Sequence, residues 1–238
     1  MEKKSFVLAL MLCLAIASQA QVAKYCMSYA DFVSGNWKSV DELTQGRTKQ
    51  ACQMKSGDNY YYFRTGDKTA DKVLKKEAFA VMYGGHLYVN CRNLRNNDCP
   101  LDISSYTQAL RFDKNKVCVL AYKTDDASLL LGAGLLIGGC IVDNPWVSLG
   151  LDVAGSGCWI TNNFLSKTNC YLVDSNATGK GTYNVTRMND KYMEQLLSHD
   201  AHLLEKYKAI HNKRNRQSSA NVVPILMEKG LIASNSIR

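Results

Sequence analysis

The chain has 238 residues, nine of them cysteine, and carries 29 Lys and Arg against 21 Asp and Glu, a formal net charge of +8. An apolar share of 46% with only three prolines excludes a disordered or collagenous chain, and the length suffices to bury a core without cross-links. The moderate basic excess favours contact with anionic surfaces such as lipid headgroups, glycans or nucleic acid without choosing among them, and more often is a solvated surface; no nucleic-acid partner is expected.

In chain order, residues 1–20 read as a secretory signal peptide. Met1 to Lys4 form a basic start, Phe6 to Ile16 an apolar run, and Ser18-Gln19-Ala20 the small-residue cleavage site. Cleavage would start the mature chain at Gln21 and remove Cys13. Eight cysteines then remain, an even number in an exported chain, which is compatible with disulfides. Cys91 and Cys99 bracket the polar stretch RNLRNND and are expected to form a local bridge. Cys118 and Cys140 lie in apolar runs, where buried free thiols fit as well. No pair has the CxxC spacing of a zinc site.

Residues 21–126 alternate short apolar runs with turn signals, the pattern of an antiparallel meander or small barrel. Ser56 to Asn59 separates Ala51–Lys55 from Tyr60–Phe63. Gly84-Gly85 separates Phe79, Val81 and Tyr83 from Leu87, Val89 and Cys91, and Asp113 to Lys116 separates Ala109–Phe112 from Val117–Tyr122. Ala70 to Lys76 fits one helical turn. Tyr60 and Tyr62 form a candidate ligand surface, because aromatic rings stack on sugar or base; alternating tyrosines in a strand also read as half core and half surface.

Residues 127–160 are apolar and glycine-rich. As a helix, Ala127 to Val142 would be about 24 Å long, short against a hydrocarbon core of about 30 Å. Asp143-Asn144-Pro145 is a turn signal, after which a second apolar run extends to Ile160, so the segment reads as a hairpin. Gly134 and Gly138, with Gly132 and Gly139, make a small-residue groove that lets another backbone approach. Together with Trp146 they are the candidate contacts with membrane lipid or with another copy of the chain. The same residues also fit buried strands, bulky on one side and bare on the other. A single membrane crossing fits least; the other two readings stay open.

Residues 161–187 read as a further β-hairpin, Asn169–Asp174 and Thr182–Thr186. Over 188–238 the period becomes helical. Asn189 is a cap for a helix with Tyr192, Met193, Leu196 and Leu197, and Ser198 or Asp200 for one with Leu203, Leu204, Tyr207 and Ile210. Pro224 suits an early helical turn and Gly230 a stop. This part reads as a C-terminal helical appendage. His199 and His202, three apart, are weak candidates for a metal pair, but a third ligand has no defined placement and an Asp-capped helix start accounts for them better. No cofactor is implied, and no Ser, Cys and His arrangement marks a nucleophile. Asn176 and Asn184 begin glycosylation-type sequons.

The stretches DNYYYFRTGDKTADKVLKKEAFAVMYGGHLYVNCRNL and MNDKYMEQLLSHDAHLLEKYK, with the Gly-rich middle between them, resemble a group of exported proteins of Bacteroidetes-type bacteria that have no assigned activity. The resemblance implies a periplasmic or cell-envelope location and carries over no functional residue. Together these readings predict an exported α+β protein, envelope-associated or ligand-binding and not an enzyme. A small metal-dependent hydrolase is the rival.

Overall fold

The fold is that of a computed structural model, which describes residues 23–47, 60–96, 99–100, 105–113, 115–122, 162–173 and 182–233. It is a mixed α/β fold. The first part runs β1 (Ala23–Cys26), α1 (Tyr29–Ser34), β2 (Lys38–Val40), β3 (Thr44–Arg47), β4 (Tyr60–Arg64) and α2 (Lys68–Lys76). Next come β5 (Ala80–Tyr83), β6 (His86–Asn90), β7 (Leu94–Asn96), β8 (Cys99–Pro100), β9 (Tyr106–Phe112) and β10 (Lys116–Tyr122). The chain continues through α3 (Asn162–Lys167), β11 (Thr168–Val173) and β12 (Tyr183–Arg187). It ends in α4 (Asp190–Leu196), α5 (Ala201–Lys208), α6 (Lys213–Arg216) and α7 (Ser219–Glu228).

The strands join in one sheet of order β2-β1-β5-β6-β9-β10-β11-β12-β7-β8, with β4 branching from β9 and β3 pairing with β4. Only a 3-10 turn, Cys91–Asn93, separates β6 from β7, yet β7 pairs with β12, so that four strands, β9 to β12, stand between β6 and β7 in the sheet order. In a flat sheet these positions would lie about 24 Å apart at about 4.8 Å per strand. From Asn90 to Leu94 the chain reaches at most about 14 Å. The sheet therefore curls into a half-barrel. Its closing pair, Tyr183 with Leu94 and Asn184 with Arg95, is parallel in an otherwise antiparallel arrangement.

Alternation along each strand divides the side chains between two cores. Val117, Val119, Ala121, Tyr171, Val173, Leu87, Val89 and Ala109 face the inside of the curl, where Phe32, Phe79 and Tyr183 complete the packing. Leu110, Phe112, Cys118, Leu120, Cys170 and Leu172 face outward against Met193, Leu203, Tyr207, Val222 and Leu226 of the C-terminal helices. Those helices are thus one wall of the core, where the sequence suggested an appendage. Asn189 caps α4 by accepting from the Tyr192 N–H, and Asp200 caps α5 by accepting from Leu203. Pro224 lies inside α7 rather than in its first turn.

Both expected two-strand turns between positions 80 and 122 form. Gly84 and Gly85 have φ of 56° and 81°, the left-handed pair that a two-residue type I′ hairpin needs, and Phe112 pairs with Lys116 across the other turn. The registers correct two details. Val81 pairs with Tyr88 on the outer face, so it points away from Leu87 and Val89, which face inward with Ala80. The partner of β4 is β3, with Thr44 opposite Arg64 and Gly46 opposite Tyr62; the expected Ala51–Lys55 partner lies outside the described residues. The Gly-rich segment 127–160 lies outside them too, with Gly132, Gly134, Gly138, Gly139 and Trp146. Among the described residues no helix is long and apolar enough to cross a membrane.

The expected Cys91–Cys99 bridge is not formed. Cys91 is a fully buried free thiol that donates to the Val89 carbonyl at 3.8 Å, because its place on the inward alternation turns it into the apolar interior. Burial pushes its pKa up. Cys26, Cys118 and Cys170 are buried free thiols as well, and a hydrogen bond with Cys170, then burial, pushes the Cys118 thiol well above its ordinary range.

Candidate functional site: a basic groove between β4 and α2

The nine residues of α2 follow a tight turn off the end of β4. Asp67 caps the helix, its Oδ1 accepting from the Ala70 N–H at 2.7 Å. Asp71 Oδ1 accepts from the Thr65 N–H at 2.6 Å and the Thr65 hydroxyl at 3.1 Å, tying the first turn of the helix back to the strand. Beneath the helix, Leu74 is buried with Phe63, Val81, Tyr88 and Tyr106 on the outer face of the sheet.

The C-terminal carbonyls of a helix lack intrahelical partners, and here the sheet supplies them. Tyr106 donates its hydroxyl to Leu74 O at 2.5 Å, and the buried amide of Asn90 donates to Lys75 O at 3.4 Å and Ala78 O at 3.1 Å. Asn93 donates to Lys76 O at 3.3 Å. The last turn is therefore pinned from below, and burial pushes the Tyr106 phenol pKa up.

That anchoring leaves the upper face of α2 to its lysines. Lys68, Lys72, Lys75 and Lys76 fall at i, i+4, i+7 and i+8, within about 100° of the helical wheel and along about 12 Å of its axis. They line one side of a groove of about 490 Å³, with Tyr61, Tyr62, Phe63 and Arg64 of β4 on the other and Asn90, Ser105 and Tyr106 at its base. On the other face of β4, which Tyr60 shares, Arg64 lies over the Tyr62 ring, its guanidinium carbon 4.6 Å from the ring centroid. The ring in turn rests on Gly46, where any Cβ would overlap it.

Among the described residues, none of these five cations forms an ion pair. Among the described residues lining the groove the one carboxylate is Asp71, a single negative charge that accepts from Thr65. The negative end of the α2 dipole amounts to about half a charge, far less than the two lysines beside it, so the groove is net positive.

A profile described as Family of unknown function (DUF6563) matches residues 24–232. The chain belongs to this family. No curated protein and no solved structure matches the chain. The DUF6563 match spans both the groove and the C-terminal helices, so both lie in the region that defines the family.

Within this DUF6563 chain the candidate residues separate. Tyr60 and Tyr62 share the face of β4 away from α2: Tyr60 is buried, because it pairs with Thr107 and follows the inward alternation of β9, whereas Tyr62, beyond the β9 pairing, is exposed. His199 and His202 lie on the surface at the start of α5, and His202 Nε2 is 3.8 Å from Glu228 Oε1. Among the described residues no group of three or more His, Cys, Asp or Glu is placed to hold a metal ion. Asn184 sits on β12 beside β7 with its side-chain oxygen buried, a poor position for a glycan.

The four lysines were missed as a row by reading Ala70–Lys76 as a single helical turn. Their signal was present: in DKTADKVLKK the lysines repeat at helical spacing while Leu74 takes the opposite side.

Proposed function

We propose that the protein is an exported, non-catalytic binding protein of the periplasm or cell envelope, and that the groove between β4 and α2 takes an anionic ligand. What carries the reading is the row of four lysines along one groove, none of which forms an ion pair among the described residues. Like charges at helical i, i+3 and i+4 spacing destabilise a helix by about 0.2–0.5 kcal/mol per pair. Lys75 and Lys76 recover part of that cost at the negative end of the helix dipole, so the row of four adds little to stability. Such a row gains its value when an anion neutralises it.

The test is retention on a sulfonated matrix at rising NaCl. The variant with Lys68, Lys72, Lys75 and Lys76 all changed to Gln is expected to elute at clearly lower salt than one with the exposed Lys24, Lys116, Lys191 and Lys213 changed to Gln. Both lose the same net charge. Equal elution of the two would remove the groove as an anion site.

A further inference from the structure

We infer that Cys118 and Cys170 form a binding site for one soft monovalent cation, Cu(I) or its analogue Ag(I), beneath the C-terminal helices. The site is separate from the groove and stands or falls without it. The first ground is juxtaposition. On β10 and β11, Cys118 lies opposite Leu172 and Leu120 opposite Cys170, so the two cysteines are diagonal neighbours on the outward face. Both thiols are free and fully buried, and they are hydrogen-bonded to each other. Two bonds of about 2.3 Å each let a bridging metal span up to about 4.6 Å between sulfurs. Thiols in hydrogen-bond contact fall within that span, whereas a disulfide needs its sulfurs about 2.05 Å apart.

The second ground is the surroundings of the pair. Met188 and Met193, both fully buried, belong to the same core, and the Met188 N–H donates to the Cys170 carbonyl at 2.9 Å. Met193 lies on α4 beside Tyr192, whose phenol is pushed up by burial and then by the nearness of Cys118. Thiolate and thioether ligands select Cu(I) over harder ions. A structural zinc site needs four strong ligands, and among the described residues no three His, Cys, Asp or Glu are placed to hold a metal ion.

The third ground is charge. An apolar core excludes an unpaired ion, so the bound assembly has to be neutral. A monovalent cation reaches neutrality with one thiolate: the metal–sulfur bond forms at Cys118 Sγ as its proton leaves to water. Cys170 keeps its proton, which it donates to Ser219 Oγ at 3.5 Å, and coordinates through a sulfur lone pair. No electron is transferred. Entry requires the helical layer to open. Its helices α4 to α7 are four to ten residues long and joined in part by exposed ion pairs, which suits local opening.

The experiment uses the full chain with Cys13, Cys52, Cys99, Cys140 and Cys158 changed to Ala, reduced and under argon. Cu(I) is titrated against bicinchoninate as competing chelator, with Ag(I) and Zn(II) in parallel. One Cu(I) per chain is expected, with one proton released, sulfur-only coordination by X-ray absorption, and Zn(II) held more weakly. Loading should quicken in mild urea, below the unfolding transition.

Cys118→Val and Cys170→Val, similar in size and suited to a strand, are each expected to weaken binding about 100-fold or more. Cys26→Ala with Cys91→Ala, in the inner core, should change it less than about 2-fold. Anomalous scattering from a silver-loaded crystal of the unaltered chain answers the same question without any variant. Density between the two sulfurs supports the site, and its absence there overturns it. Undiminished affinity in the Val variants, nitrogen or oxygen ligands, tighter Zn(II), or no ion held by the folded chain would overturn it as well.

Discussion

In the C-terminal layer Arg216, Lys206 and Lys208 each meet a carboxylate from a different helix, whereas Arg64 and the four lysines of α2 meet none among the described residues. Asp190 receives Arg216 Nη2 at 2.7 Å and Nε at 3.1 Å, and the Tyr207 hydroxyl at 2.8 Å. The Arg216 contact, followed by the Tyr207 and Gln217 hydrogen bonds, holds the Asp190 pKa down at about 2. Burial, then Asp190 itself, pushes Tyr207 up. Lys206 pairs with Glu228, and Lys208 lies 3.9 Å from Glu194. Charge there fastens one short helix to the next. Around the groove, fastening is done by Leu74, Tyr106, Asn90 and Asn93 from below, and charge is left over.

The largest effect that separates the two regions is expected from Leu74→Ala. Removing this buried side chain should cost about 2–4 kcal/mol and loosen α2, so both the urea midpoint and polyanion binding should fall. Next comes Asp190→Asn, which leaves Arg216 and Tyr207 without their anionic partner and should cost about 1–3 kcal/mol. Polyanion affinity should stay as it was; a parallel loss would mean that the two regions are not independent.

Acid resolves the same pair more finely. Because the Asp190 pKa is lower folded than its ordinary 3.8, its contribution is present above that value and is lost as pH falls from about 4 towards 2. Asp190→Asn should flatten the stability profile in that window. His86, whose pKa is lowered by burial, acts at milder pH. Its unfolded form takes up a proton more readily, so stability should decline as pH drops through about 6.5, and His86→Gln should remove that slope. The smallest effect is expected from Lys72→Gln with Lys75→Gln: a shift of about 0.5 kcal/mol or less, towards greater stability. A clear destabilisation would show that these lysines serve the fold after all.

What could be read from the sequence follows interactions that are local along it. The Gly84-Gly85 and Asp113 turns, and the caps at Asn189 and Asp200, each depend on a few neighbouring residues and were legible. The burial of Tyr60 was not, because it depends on pairing with Thr107. Nor was β3 as partner of β4: Thr44 to Arg47 is polar, and only the cross-strand seat of Tyr62 on Gly46 explains the pairing. The curl that joins β7 to β12 rests on contacts between residues 94 and 183, beyond any window of periodicity. The lysine row of the candidate site was within reach, since its spacing is local, while the pinning of α2 by Tyr106, Asn90 and Asn93 needs the fold.

The register of β10 with β11 has one more implication. Tyr122 pairs with Thr168, so the chain leaves the sheet and comes back to it at the same spot. Closing a long excursion between paired ends adds little entropy per extra residue. Grafting a short flexible linker in place of residues 123–161 is therefore expected to preserve the circular dichroism and cooperative melting of the remainder. A cooperative melt retained by that graft would show that the paired ends, and not what lies between them, set the geometry of this edge.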